Sequence, residues 1–100
     1  MSKRTQALNI NRETRMAVFE RDNGCCILCG RPGNPEAHYI SRAHGGLGIE
    51  QNIVTLCRPC HRRYDQTIER DAIREILRDY LMSKYPDWDV TKLIYHKYGG

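Results

Sequence analysis

In EAHYISRAHGGLGIEQNIVTLCRPCHRRYD, residues 36–65, two short runs flank a glycine-rich loop, and a Cys-x-x-Cys pair runs straight into a histidine. EAHYI is strand-like, NIVTL is β-branched, and SRAHGGLGIEQ between them carries Gly45, Gly46 and Gly48, so the stretch reads as a hairpin. Those glycines suit a loop with unusual backbone angles. A helix is expected to follow from about Arg58, which places His61 and Asp65, four residues apart, on one helical face.

The pair Cys57 and Cys60 has a counterpart upstream in Cys26 and Cys29, separated from it by the 27 residues from Gly30 to Leu56. A Cys-x-x-Cys turn presents two thiolates from one tight loop, and two such turns complete a tetrahedral four-cysteine zinc site. Zn²⁺ bound there would supply folding energy that so small a core lacks. Four reduced core cysteines are the plain alternative. A thioredoxin-like redox role is disfavoured, because neither pair sits in a βαβ pattern. Cys25 reaches the same site only at the wrong spacing and reads as a bystander.

Outward from this centre, residues 1–10 offer little to bury and read as a loose tail. Asn11 is a good N-cap for a helix carrying Met16 and Phe19 on one face, and Asn23-Gly24 is a strong stop. From Thr67, the residues Ile68, Ala72, Ile73, Ile76, Leu77, Tyr80 and Leu81 recur at helical spacing as far as about Tyr85, and Pro86 ends the run. The tail that follows holds Trp88, Tyr95 and Tyr98, expected to pack back on the body. The expected architecture is small α+β in one domain over 1–100, with the tail over 1–10, a zinc-stapled core over 11–65 and a helical extension over 66–100.

The chain has 100 residues, 40% hydrophobic and 28% charged, with a formal charge of +4. That composition is ordinary for a folded chain and excludes neither enzyme nor binding module. The polar, basic N-terminus and the absence of a long apolar run predict a cytoplasmic protein without membrane contact. The cytosol keeps thiols reduced, which favours metal-binding over disulfide-bonded cysteine pairs. A basic balance suits a polyanionic partner, and Arg42, Arg58, Arg62 and Arg63 lie close in sequence to the hairpin and its helix. Phosphate contacts of that kind give salt-sensitive DNA binding without sequence preference.

A histidine ending the first strand, a Gly-Gly loop, Asn52 opening the second strand and His61 opening the helix after the knuckle together resemble the HNH nuclease family. Its ββα-metal motif often sits between two zinc knuckles. The resemblance covers roughly Phe19 to Asp65, RDNGCCILCG and NIVTLCRPCH included. It implies a metal-dependent endonuclease acting on double-stranded DNA and leaving a 5′ phosphate and a 3′ hydroxyl.

By position, the resemblance makes His38 the general base and gives Asn52 the task of tying the loop and orienting the base. It makes His61 a ligand of the catalytic divalent metal, Mg²⁺, Mn²⁺, Ni²⁺ or Zn²⁺, with Asp65 as a further ligand. Small members of this kind look phage- or prophage-encoded, active in a bacterial host beside packaging proteins. Many relatives carry a metal ligand just before the base, where this chain has Ala37. The competing readings are therefore a zinc-stapled DNA-binding module without catalysis and an interaction domain built on the C-terminal helix; the oligomeric state is left open.

Overall fold

The structure, a computed structural model, describes residues 1–97; Tyr98 of the expected C-terminal packing lies outside them. Helix α1 spans Lys3–Leu8, where a loose tail was expected. Ser2 caps it by accepting from the Thr5 N–H at 3.1 Å, and Leu8 is buried. A capping serine and one apolar anchor are enough to order a segment that has a surface to dock on. Helix α2 spans Arg12–Arg21, with the Asn11 side chain accepting from the Thr14 N–H at 2.8 Å. Asn23 and Gly24 take positive φ, 56° and 66°, and end it. Its apolar pair behaves unexpectedly: Val18 is buried, whereas Met16 and Phe19 are exposed.

Strand β1 spans Asn34–His38 and β2 spans Ile53–Leu56, antiparallel, with His38 opposite Ile53 and Ala37 opposite Val54. The long loop between them winds through two 3₁₀ turns, Arg42–His44 and Glu50–Asn52. Helix α3 spans Arg58–Gln66 and starts directly from Cys57, with Pro59 in its first turn, where a missing N–H costs nothing.

Helix α4 spans Arg70–Lys84 and buries Ile73, Leu77 and Leu81. It begins later than the apolar pattern suggested. Thr67 is extended, its hydroxyl donating to the Arg63 carbonyl at 2.6 Å and accepting from the Glu69 N–H at 3.1 Å, so it separates the helices. Ile68 therefore lies outside the helix and is fully exposed, and Ile76 is half exposed. The buried stripe is one residue per turn, narrower than expected.

The main core joins Ala37, Tyr39 and Ile40 to Val54 and Leu56, to Tyr64 of α3, to the α4 stripe and to Leu93. The tail does pack back. Trp88 donates to the Gln51 carbonyl at 2.8 Å and meets Tyr39 edge-on, and Tyr95 N–H donates to the Gly45 carbonyl at 2.8 Å. Behind β2, buried Asp22 accepts from the Thr55 N–H at 2.9 Å, from Arg21 Nε at 2.8 Å and from the Tyr80 hydroxyl. Burial works against its charge, but these donors outweigh burial and hold the carboxyl below its usual range. Arg21 also donates to the Ile53 carbonyl at 2.7 Å, so one ion pair ties α2, β2 and α4 together. No helix among the described residues is long and apolar enough to cross a membrane.

Candidate active site

The two Cys-x-x-Cys turns meet at the N-terminus of α3. The Cys26, Cys29, Cys57 and Cys60 ligand atoms all lie within 4.8 Å of one another, and Cys29 Sγ is 3.5 Å from Cys57 Sγ. Tetrahedral zinc at its usual Zn–S distance needs sulfurs about 3.8 Å apart, so the donor set and the spacing both fit. The thiols also show what a cation would relieve. Burial raises the Cys26 thiol, yet amides of Cys57, Cys29 and Leu28 outweigh it and bring the group to about 7. Burial and the neighbouring thiols together push Cys60 up to about 12. Four thiolates in this space repel one another unless a divalent ion neutralises them. Half-buried Cys25 lies outside the cluster, its backbone bridged to Pro32.

One turn into α3, His61 Nε2 lies 3.2 Å from Asp65 Oδ2. The expected i, i+4 relation is realised because Asp65 sits inside the helix. The two line a cleft of about 200 Å³ with Arg58, Arg62, Asn34, Glu36 and Leu56. Arg58 and Arg62 are exposed there and free to meet a phosphate, whereas Arg63 is held by Glu69, with Nε–Oε2 at 2.7 Å. Arg42 donates to the Leu8 carbonyl at 3.4 Å. Of the four arginines, two face the cleft.

His38 is half-buried at the end of β1, and its Nε2 lies 2.9 Å from the Leu8 carbonyl oxygen. Burial is the main influence lowering its pKa; the Leu8 carbonyl and, more weakly, the Glu36 backbone carbonyl oppose that, and the charges of Arg42 and His61 add to it. His38 is not among the residues lining the His61 cleft. The loop after His38 is pinned by Asn52, which is fully buried: its Oδ1 accepts from the Ile40 N–H at 2.8 Å, and its Nδ2 donates to the Ile40 and Leu47 carbonyls at 3.1 and 2.8 Å. A Cβ at Gly46 would stand 1.7 Å from the Ile40 carbonyl oxygen, so only glycine lets this loop close. Tyr64 of α3 donates to the Tyr39 carbonyl at 2.6 Å and locks the same loop to the helix bearing His61.

Residues 26–67 match the HNH endonuclease family model. The HNH match encloses both cysteine pairs, the hairpin and α3, and leaves α1, α2 and α4 outside it. No curated protein matches the chain. The small α+β fold, with its two-stranded antiparallel sheet and four cysteines positioned to hold a metal, is consistent with an HNH ββα-metal fold. An HNH domain with such a site points to nuclease or DNA-binding function.

Among the described residues the four cysteines are the one group of three or more ligand side chains close enough to share an ion. His61 and Asp65 offer two donors, and water and phosphate oxygens ordinarily complete the shell of Mg²⁺ or Mn²⁺. Ala37 is fully buried in the core, so its position does not open onto the cleft. Sequence reading passed over Glu36, which lines the cleft while paired with Arg15 at 2.9 Å. Strand alternation was the available signal, since residues 36 and 38 share a face of β1. It also passed over Leu8, which acts through its backbone and so leaves no side-chain signature.

Proposed function

We propose that this chain is a metal-dependent HNH endonuclease that hydrolyses phosphodiester bonds in double-stranded DNA, with residues 1–100 as one nuclease unit. The observation that carries the proposal is the His61–Asp65 pair, 3.2 Å apart, in a cleft flanked by Arg58 and Arg62. The arginines draw the phosphodiester backbone into the cleft, and His61 with Asp65 would hold a divalent ion against it. Held there by His61 and Asp65, such an ion would supply neutralisation of the charge that grows on the phosphate.

His38 removes a proton from water, and the water oxygen attacks phosphorus. As that bond forms, the bond to the 3′ oxygen breaks. The phosphate stays on the 5′ side, and the 3′ oxygen leaves and gains a proton. Asn52 keeps the loop after His38 in one conformation. Cys26, Cys29, Cys57 and Cys60 would hold Zn²⁺, which would fix the start of α3 and hence the direction of His61. By family resemblance we place the protein in the cytoplasm of a bacterial host, phage- or prophage-encoded and working beside packaging proteins.

Supercoiled plasmid incubated with Mg²⁺, Mn²⁺, Ni²⁺ or Zn²⁺ tests this. Nicked or linear product is expected, and its loss in His38→Ala. Cutting that survives His38→Ala would remove His38 as the base. The buried Ala37 favours one second reading, a zinc-stapled DNA-binding module without catalysis. Salt-dependent DNA binding with no product under any of the four metals would select it.

A further inference from the structure

The carbonyl facing His38 comes from α1, outside the HNH match. Leu8 is the last residue of that helix, so its carbonyl has no partner within the helix and is available to an outside donor. A carbonyl oxygen only accepts. At 2.9 Å from it, Nε2 must carry the hydrogen, and in the neutral ring the lone pair is then on Nδ1.

Several independent contacts keep this segment in place. Leu8 is 2% exposed. Gly48 N–H donates to the Ala7 carbonyl at 2.9 Å, and Arg4 Nη2 donates to the Arg42 carbonyl at 3.4 Å. At Gly48 the backbones approach so closely that a Cβ would stand 2.1 Å from the Asn9 carbonyl oxygen. The glycine loop is therefore shaped to receive the N-terminal segment as well as to close the hairpin.

We infer that residues 2–9 are part of the catalytic apparatus: the Leu8 carbonyl holds His38 as the Nε2–H tautomer, so that Nδ1 is the atom that accepts the proton from water. Leu8 is thus a positioning residue, and the inference rests on His38 being the base.

The full-length zinc-loaded chain, labelled with ¹⁵N, tests it at pH 8, where the ring is neutral. Long-range ¹H–¹⁵N correlation is expected to show His38 with a protonated Nε2 and an unprotonated Nδ1. In Gly48→Ala, whose new methyl displaces Asn9, the His38 signals should move toward a mixture of tautomers. With Mg²⁺ or Mn²⁺ and plasmid, kcat should fall about 10–100-fold while KM stays within about twofold, as for loss of a group that orients a catalytic side chain. If Gly48→Ala fails to retain zinc, Leu8→Ala releases the same segment without crowding the loop. An Nδ1–H or mixed tautomer in the unaltered chain overturns the inference, as does a kcat loss with unchanged His38 signals. If the unaltered chain cuts no DNA but the tautomer is single and shifts in the variant, the positioning stands and the nuclease reading fails.

Discussion

Asn52 satisfies both backbone polar groups of Ile40, its Oδ1 accepting the N–H at 2.8 Å and its Nδ2 donating to the carbonyl at 3.1 Å. A side chain at the mouth of β2 thereby sets the path of the chain two residues after His38. Asn52→Ala leaves those groups buried without partners, at a cost of about 1–3 kcal/mol for each group left unsatisfied. Urea denaturation of the zinc-loaded protein should show a loss of that order. Plasmid cutting should fall further than the remaining folded fraction explains, because the loop no longer holds His38 in register. An unchanged denaturation midpoint would contradict the role given to Asn52.

The cysteine cluster predicts one zinc per chain by elemental analysis. Structural zinc in small domains contributes on the order of 10 kcal/mol, comparable to the whole net stability of a domain of this size. Chelation, or Cys60→Ala, should therefore abolish the cooperative thermal transition. A metal-free chain that kept its native circular dichroism would show that the apolar core suffices alone.

The arginines should separate in a salt series. Each phosphate contact contributes close to one unit of slope when log affinity for DNA is plotted against log salt. Arg58→Ala and Arg62→Ala should each lower the slope by about that much. Arg63→Ala should leave it nearly unchanged, since its guanidinium is already committed to Glu69. Equal effects from all three would remove the cleft as the binding surface.

The pH dependence follows from His38. Burial, reinforced by Arg42 and His61, lowers its pKa from the usual 6.5, so the neutral, proton-accepting form already dominates at pH 7. Cutting should decline only as acid protonates the ring, with the midpoint of kcat/KM against pH below 6.5. Arg42→Gln removes one charge that resists protonation and should move that midpoint upward. A limb centred well above 6.5 in the unaltered protein would contradict the assignment.

Much of this site was legible in the sequence, because its chemistry is concentrated in residues with strong local signatures. Paired cysteines at fixed spacing, a glycine loop between strand-like runs and a His–Asp pair at helical spacing each survive in the fold as read. What escaped was set by partners distant in the chain. Arg63 looked as available as Arg62 until α4 brought Glu69 against it, and Ile68 looked apolar-periodic until Thr67 broke the helix before it. The N-terminal segment looked loose because its ordering depends on Gly48, some 40 positions away. The Asp22 network offers no pattern along the chain at all, since its donors come from α2, β2 and α4.

For protein engineering, the burial of Ala37 reverses an intuitive repair. In an alignment, the alanine before His38 would look like a blank inviting a restored aspartate. The side chain there points among Tyr39, Val54 and Leu56, with no solvent exposure. Ala37→Asp would place an unpaired carboxylate in the hydrophobic interior and weaken the hairpin that carries His38. A gain in metal affinity would have to be designed from the exposed face of β1, where Glu36 already stands at the rim of the cleft.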